Sequence, residues 1–122
     1  MKEIFILGIE GTAWNFSVSI ISSNNFMIES RRTYTPKEGG IHPREAAQHH
    51  ANNAIDVIKD ILEKFQNFGF SIHDINAIAF SRGPGLGPCL RVTATIARML
   101  SLILKKPLIG VNHCIAHIEI GM

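Results

Sequence analysis

The spacing of hydrophobic and polar residues predicts three strands in the first part of the chain. The continuous hydrophobic run at 4–9 is typical of a central strand that is buried on both faces. Partial alternation of apolar and polar residues predicts a second strand at 16–21, and 26–34 predicts a third. The pair Asn24-Asn25 separates these two as a turn, because asparagine tolerates positive φ. The pattern therefore favours an antiparallel meander.

Helical and strand-like segments alternate through the remainder of the chain. A helix is predicted over 43–68, where proline suits the first helical position and apolar residues recur at helical spacing. A strand at 77–80, a helix at 90–104, a strand at 108–111 and a last helix follow. The apolar positions of the first helix are Ala47, Ala51, Ala54, Ile55, Ile58, Ile61, Leu62 and Phe65. For Phe65, Phe68 and Phe70, around the end of that helix, the core and an interface are the two alternatives, and we expect the core.

The predicted element order is βββαβαβα, whereas a doubly wound fold alternates strands and helices from its first strand. This order matches the ribonuclease H-like half-domain of the actin-like ATPases, an α/β fold in which helices flank a mixed five-stranded sheet. In that class two half-domains face each other across a nucleotide cleft. We therefore expect residues 1–122 to form the N-terminal lobe of such a pair, with the C-terminal lobe absent.

Composition narrows the class of protein. With 122 residues, 46% of them hydrophobic and 18% charged, the chain is long and apolar enough to bury one core. Its formal charge of +2 is too small to indicate nucleic-acid binding by bulk electrostatics. The first residues resemble neither a signal peptide nor a membrane segment, and Cys89 and Cys114 do not form a disulfide framework. We expect a cytoplasmic protein without membrane association.

The strongest local pattern is a glycine-rich segment between the fourth strand and the second helix. Gly83, Gly85 and Gly87 occupy every second position after Arg82. Glycine allows close approach of a ligand to the backbone, and the amides of a helix N-terminus favour anions. The spacing is neither that of a Walker loop nor that of the Rossmann fingerprint. A phosphate-binding loop and a stiff turn that only docks the helix are therefore equal alternatives.

Polar residues at two element ends are candidate substrate contacts. Glu10 lies at the C-terminal end of the first predicted strand, where a carboxylate can position a water, a metal or a substrate amine. A solvated or capping carboxylate is the alternative. The histidine-rich opening of the long helix, 42–50, is predicted to contact substrate or RNA rather than a second metal ion.

His113 and His117 form a candidate metal site. On a helix, residues four apart share one face, so both imidazoles can converge on one ion. Two histidines leave a metal under-coordinated, because three protein ligands are usual even at catalytic sites. The alternative is one surface histidine and one core histidine.

Together these segments resemble the universal TsaD/Gcp family, whose archaeal and eukaryotic branch is the catalytic subunit of the KEOPS complex. The similarity extends over essentially the whole chain. The segments that carry it are 7–10, 43–50, 81–92 and 111–117. The resemblance implies transfer of a threonylcarbamoyl group from threonylcarbamoyl-AMP to the adenosine beside the tRNA anticodon. It also implies a two-lobed actin-like ATPase fold that takes ATP or threonylcarbamoyl-AMP as its nucleotide ligand.

The resemblance also implies roles for particular residues. His113 and His117 match the family's ligands for iron or zinc, a metal that would polarise the acyl group as a Lewis acid. The segment from Arg82 to Gly87 matches the glycine loop near the reaction centre. Glu10 matches an acid at the end of the first strand in the family. The remaining metal ligand, an aspartate, lies beyond Met122 in the family.

The partners implied are tRNA and the other KEOPS subunits. The small dimerising subunit is expected on the helices 43–68 and 90–104, and the kinase subunit mainly on the other lobe. The chain alone is expected to fold and bind its partner but neither to modify tRNA nor to hold metal tightly.

Two alternatives remain open: a metal-dependent peptidase of the O-sialoglycoprotein endopeptidase type, and a pure binding module. Against the peptidase, zincins carry glutamate directly after the first histidine, where this chain has Cys114.

Overall fold

The computed structural model describes residues 3–11, 15–33, 43–83 and 87–112, in which two helices cover one face of a five-stranded sheet. The elements in chain order are β1 (Phe5–Glu10), β2 (Asn15–Ser22), β3 (Met27–Thr33), α1 (Pro43–Asn67), a 3-10 helix (Ile72–Asp74), β4 (Ile75–Gly83), α2 (Gly87–Leu104) and β5 (Leu108–Asn112). The predicted succession is confirmed through β5, and the predicted last helix lies outside the described residues. The 3-10 helix was not predicted, and α2 begins three residues before the predicted position.

The strand order across the sheet is β3-β2-β1-β4-β5. The pairs β1/β2 and β2/β3 are antiparallel, which confirms the predicted meander. The pairs β1/β4 and β4/β5 are parallel, because a helix carries the chain back before each of the last two strands. Asn25 has a φ of 68° in the turn between β2 and β3, in agreement with the predicted turn.

The core lies between the sheet and the two helices. Leu7 and Ile78, which pair across β1 and β4, are fully buried on the helix-bearing face. Ile6, Gly8 and Glu10, on the other face of β1, are only half-buried in the described part of the structure. β1 was predicted to be buried on both faces, and on this second face its burial is only partial. The larger core residues are Phe5, Phe16, Val18, Ile20, Val57, Ile61, Phe65 and Ile75.

Aromatic rings close the end of the core where α1 finishes. The ring centroid of Phe65, which is fully buried, lies 5.1 Å from those of both Phe5 and Phe70. Phe68 is 61% exposed, so its predicted place in the core is wrong. Phe68 follows the last residue of α1 and lies on the flank of the buried stripe, where the ring of Phe26, at a centroid distance of 5.1 Å, covers it only in part. Ile55 is likewise 66% exposed, although it fits the helical spacing.

The two helices approach each other closely at their N-terminal ends. Ala46 of α1 and Cys89 of α2 are fully buried against one another. Small side chains at a helix crossing shorten the distance between the helix axes. The first turns of α1 and α2 are therefore held side by side.

Helix α2 is apolar along most of its length. It is the one helix among the described residues with the length and composition of a membrane span. Helices within the core of soluble proteins pass the same test, so composition alone does not identify a span. In the described structure α2 packs on β4 and α1 through a stripe of fully buried residues, Cys89, Thr93 and Ala97.

Replacing Phe65 by alanine is expected to destabilise the protein far more than the same change at Phe68. Truncating a fully buried phenylalanine costs about 3–5 kcal/mol, because apolar burial is lost and a cavity remains. Phe68→Ala, the matched control just past the end of α1, is expected to cost roughly 1 kcal/mol or less because most of the ring is exposed. Urea unfolding of the two variants gives the comparison, and equal losses would contradict the packing described.

Candidate functional site

Parallel strand pairing brings the C-terminal ends of β1, β4 and β5 to one edge of the sheet. Ile9 of β1 pairs with Phe80 of β4, so Glu10 lies level with Ser81, near the end of β4. Gly83, the last residue of β4, pairs with Asn112, the last residue of β5. In open sheets with parallel strands, ligands bind beyond these carboxyl ends. We call this edge, from Glu10 to Asn112, the site edge.

Arg82 occupies a β-bulge at the site edge. The pairing of β4 with β5 shifts register between Ser81 and Gly83, which leaves Arg82 as the extra residue. The stem of Arg82 lies directly over Gly110 of β5, where an added Cβ would come within 2.5 Å of the Arg82 Cδ. Gly110 therefore leaves room for this arginine, and Arg82 is exposed beside the glycine segment that the sequence singled out.

A second arginine accompanies Arg82. Helix α2 begins at Gly87, and an added Cβ there would lie 3.8 Å from an Nη1 of Arg91. The Arg91 guanidinium therefore lies beside the first turn of α2. Neither arginine has an ion-pair partner among the described residues. Two uncompensated cations and the positive end of a helix dipole together favour an anion at this edge.

The face of the sheet opposite α1 and α2 forms a shallow trough of about 390 Å³ that reaches the site edge. Small residues, among them Gly8 and Ala79, line its middle, and Glu10 and Ser81 line the end at the site edge. Ser81 is 5% exposed, and its hydroxyl has no hydrogen-bond partner in the described structure. A buried hydroxyl without a partner costs stability, and this one lies beside Glu10 at the end of the trough.

The predicted site residues fall into two groups. Glu10, Arg82, Gly83 and Gly87 are brought together at or beside the site edge. Gly85, His113 and His117 lie outside the described residues. Within the described residues no group of three or more histidine, cysteine, aspartate or glutamate side chains could hold a metal ion.

Cys89 has the character of a structural residue rather than a nucleophile. It is fully buried as a free thiol, and burial raises its pKa because the thiolate would be desolvated. At neutral pH it is therefore a protonated thiol in the contact between α1 and α2.

His50 and Thr93 are part of the site region that sequence reasoning missed. Both are fully buried and both approach Gly11, the residue after Glu10. His50 was grouped with the polar opening of α1, which was predicted to face substrate or RNA. Its position four residues before the buried Ala54 was the signal that placed it on the core side of the helix.

Comparison with solved structures identifies the class of fold. YeaZ from Pseudomonas aeruginosa superimposes with a TM-score of 0.67 at 18% identity, over 89% of this chain and 43% of that one. The RuvC of Thermus thermophilus, solved with a Holliday junction substrate, gives a TM-score of 0.50 at 10% identity, over 91% of this chain and 66% of that one. At these identities the likeness shows the fold alone. The chain has the ribonuclease H-like, actin-like half-domain fold that its element order predicted.

The chain belongs to the TsaD family, described as tRNA N6-adenosine threonylcarbamoyltransferase, whose model matches residues 24–122. It is 60% identical over 116 residues, 95% of the chain, to the tRNA N6-adenosine threonylcarbamoyltransferase of Methanococcoides burtonii. It is 62% identical over 122 residues, 100% of the chain, to the probable bifunctional tRNA threonylcarbamoyladenosine biosynthesis protein of Methanosarcina mazei. The predicted family membership is confirmed. The chain spans 35% and 22% of the lengths of these two relatives.

Replacing Ser81 by alanine is expected to stabilise the fold. The change removes a buried hydroxyl that has no partner and keeps the volume of the side chain nearly the same. The free energy of unfolding should rise by about 1 kcal/mol, the lower end of the cost of an unsatisfied polar group. Urea unfolding measures the change, and Ser19→Ala, on the half-buried part of the same face, is the control. A loss of stability in Ser81→Ala alone would show that the hydroxyl has a partner in solution.

Proposed function

We propose that the intact protein containing this chain transfers a threonylcarbamoyl group from threonylcarbamoyl-AMP to N6 of the adenosine beside the tRNA anticodon. The observation that carries the proposal is the match to the tRNA N6-adenosine threonylcarbamoyltransferase of Methanococcoides burtonii, which is 60% identical over 95% of the chain. In the reaction, the N6 amine forms a bond to the carbamoyl carbon. The bond from that carbon to the phosphate oxygen breaks, AMP leaves, and the amine loses one proton.

The site edge supports this chemistry through its charges. Arg82 and Arg91 supply two guanidinium groups for the phosphate of the donor, beside the N-terminus of α2. Glu10, level with Ser81 near the end of β4, is a carboxylate suited to accept a hydrogen bond from the reacting amine. We assign it the role of orienting that amine.

His113 and His117 are proposed to hold one iron or zinc ion. The donor set fits such a metal, because two imidazoles four residues apart can share one ion. They follow Asn112, which pairs with Gly83, so the chain enters the histidine segment from the site edge. The metal would supply Lewis-acid polarisation of the acyl group. Further ligands are assigned to the rest of the intact protein, as is the second lobe of the fold.

The outer surface of the two helices is proposed to bind the small dimerising subunit, as the family resemblance implies. Met99, Leu102 and Ile103 of α2 are 55%, 78% and 70% exposed, and their spacing places them on one side of the helix. Ile55 adds an exposed apolar side chain on α1, which packs beside α2. An amphipathic helix that covers this surface would bury apolar area now in contact with water.

The activity is tested with the intact protein, tRNA, threonylcarbamoyl-AMP and the partner subunits, by detection of modified adenosine. Glu10→Gln is expected to lower kcat by about a hundredfold, as loss of a positioned carboxylate does. Glu29→Gln, at an exposed glutamate of β3, is the matched control and should retain activity. Peptide hydrolysis without tRNA modification would instead favour the peptidase, and absence of both would favour a binding module.

Leu102→Asp is expected to weaken binding of the partner subunit at least tenfold, about 1.4 kcal/mol, because a charge replaces an apolar contact. Ile4→Asp is the matched control, since Ile4 is 52% exposed but precedes β1 at the opposite edge of the sheet. Titration calorimetry with the small subunit gives both affinities. Equal affinity of Leu102→Asp and the unchanged protein would remove α2 from the interface.

A further inference from the structure

Gly11, which follows Glu10, is enclosed by side chains from three elements. An added Cβ would lie 2.5 Å from the Oγ1 of Thr93, 3.1 Å from the Cδ1 of Phe16 and 3.3 Å from the Cδ2 of His50. These side chains belong to α2, β2 and α1 respectively. The Thr93 distance is shorter than real Cβ contacts, so only glycine fits without a shift of its neighbours.

The contacts on Gly11 are partly polar, although they lie in the interior. The hydroxyl of Thr93 donates a hydrogen bond of 3.4 Å to the carbonyl oxygen of Gly11. Buried polar groups are costly unless they are paired, and this pair joins α2 to the end of β1. The backbone after Glu10 is therefore tied to a helix as well as to the sheet.

The ring of His50 is itself held in place. It is fully buried, with its centroid 5.7 Å from that of Phe16, and its Nδ1 lies 3.0 Å from the Nδ1 of His49. One ring must donate its Nδ1–H and the other must accept it. Burial lowers the pKa of His49, which favours the neutral ring that this pairing allows. His50 thus presents a fixed edge to Gly11.

We propose that His50 and Thr93 are positioning residues that fix the backbone at Gly11 and, through it, the direction of the Glu10 carboxylate. The inference rests on the proposed function insofar as Glu10 acts on the substrate. Neither side chain needs to touch the substrate, because each acts through Gly11.

The first test is steric complementation in the intact protein. Gly11→Ala should lower kcat by about tenfold and leave the KM for tRNA within about twofold, because the carboxylate is misdirected while the tRNA surface is untouched. Adding Thr93→Ala, which removes the Oγ1 that the new methyl group meets, should restore kcat at least about threefold.

A second pair of variants keeps Gly11 in place. Thr93→Val preserves the shape but removes the hydroxyl donor, and Thr93→Ser preserves the donor. Thr93→Val should lower kcat by about threefold, and Thr93→Ser should keep it, if the hydrogen bond fixes the backbone at Gly11. Amide hydrogen exchange of the peptide from Glu10 to Phe16, measured on the same proteins, should be faster in Thr93→Val alone.

These measurements separate the failure of the inference from the failure of the proposed function. An unchanged intact protein that does not modify tRNA contradicts the proposed function, and hydrogen exchange then still tests the positioning. If Gly11→Ala does not fold, the Thr93 pair decides. The inference is wrong if Gly11→Ala behaves like the unchanged protein, if Thr93→Ala restores nothing, or if Thr93→Val changes neither kcat nor exchange.

Discussion

The parallel pairing of β1 with β4, and of β4 with β5, is the constraint on which the candidate site depends. It alone brings Glu10, Gly83 and Asn112, which are far apart in sequence, to one edge. The hydrophobic core fixes this register, because Leu7 and Ile78 pair on the face that the helices cover. A slip of β4 by one residue would turn Ile78 to the opposite face and expose it, while Leu7 stayed on the helix-bearing face. The core that stabilises the fold therefore also sets the level of the site residues.

The two faces of the sheet differ in their side chains and in their roles. The helix-bearing face carries large apolar residues. Both helices lie on it because the crossovers from β3 to β4 and from β4 to β5 run in the same direction along the sheet, and such crossovers are right-handed. The opposite face carries small residues such as Gly8 and Ala79 in its middle and hydroxyl groups near its end. Stability comes mainly from the first face. The second leaves space beside the carboxylate of Glu10 and the hydroxyl of Ser81.

Sequence reasoning was most successful where periodicity decides the structure. The meander, the long helix from Pro43 and the order of the later elements follow from spacing and turn residues, and the structure has them. It was less successful for side chains on the flank of a buried stripe. Phe68 and Ile55 satisfy helical spacing but are exposed, since the pattern does not fix the width of the covering surface.

The candidate site likewise contains residues that the sequence predicts and residues that only the tertiary contacts reveal. Glu10 and the glycine segment could be selected from their residue types at element ends, because such ends meet at one edge of a parallel sheet. His50 and Thr93 could not, since their roles depend on contacts with a residue 39 or 82 positions away. The bulge at Arg82 and the room left by Gly110 are likewise properties of the pairing between strands.

Gly11 and Gly110 allow strands and helices to contact each other closely at the site edge. Neither glycine has a positive φ, the backbone conformation that favours glycine. Each is instead covered by a side chain from another element, which leaves no room for a Cβ. Thr93 crosses Gly11, and Arg82 crosses Gly110. Arg82 lies at the end of β4 before the glycine segment and Thr93 lies in α2 after it, so these contacts join β4 to β5 and α2 to the end of β1. Positioning at this edge therefore comes from close contact between elements, which loops alone would not provide.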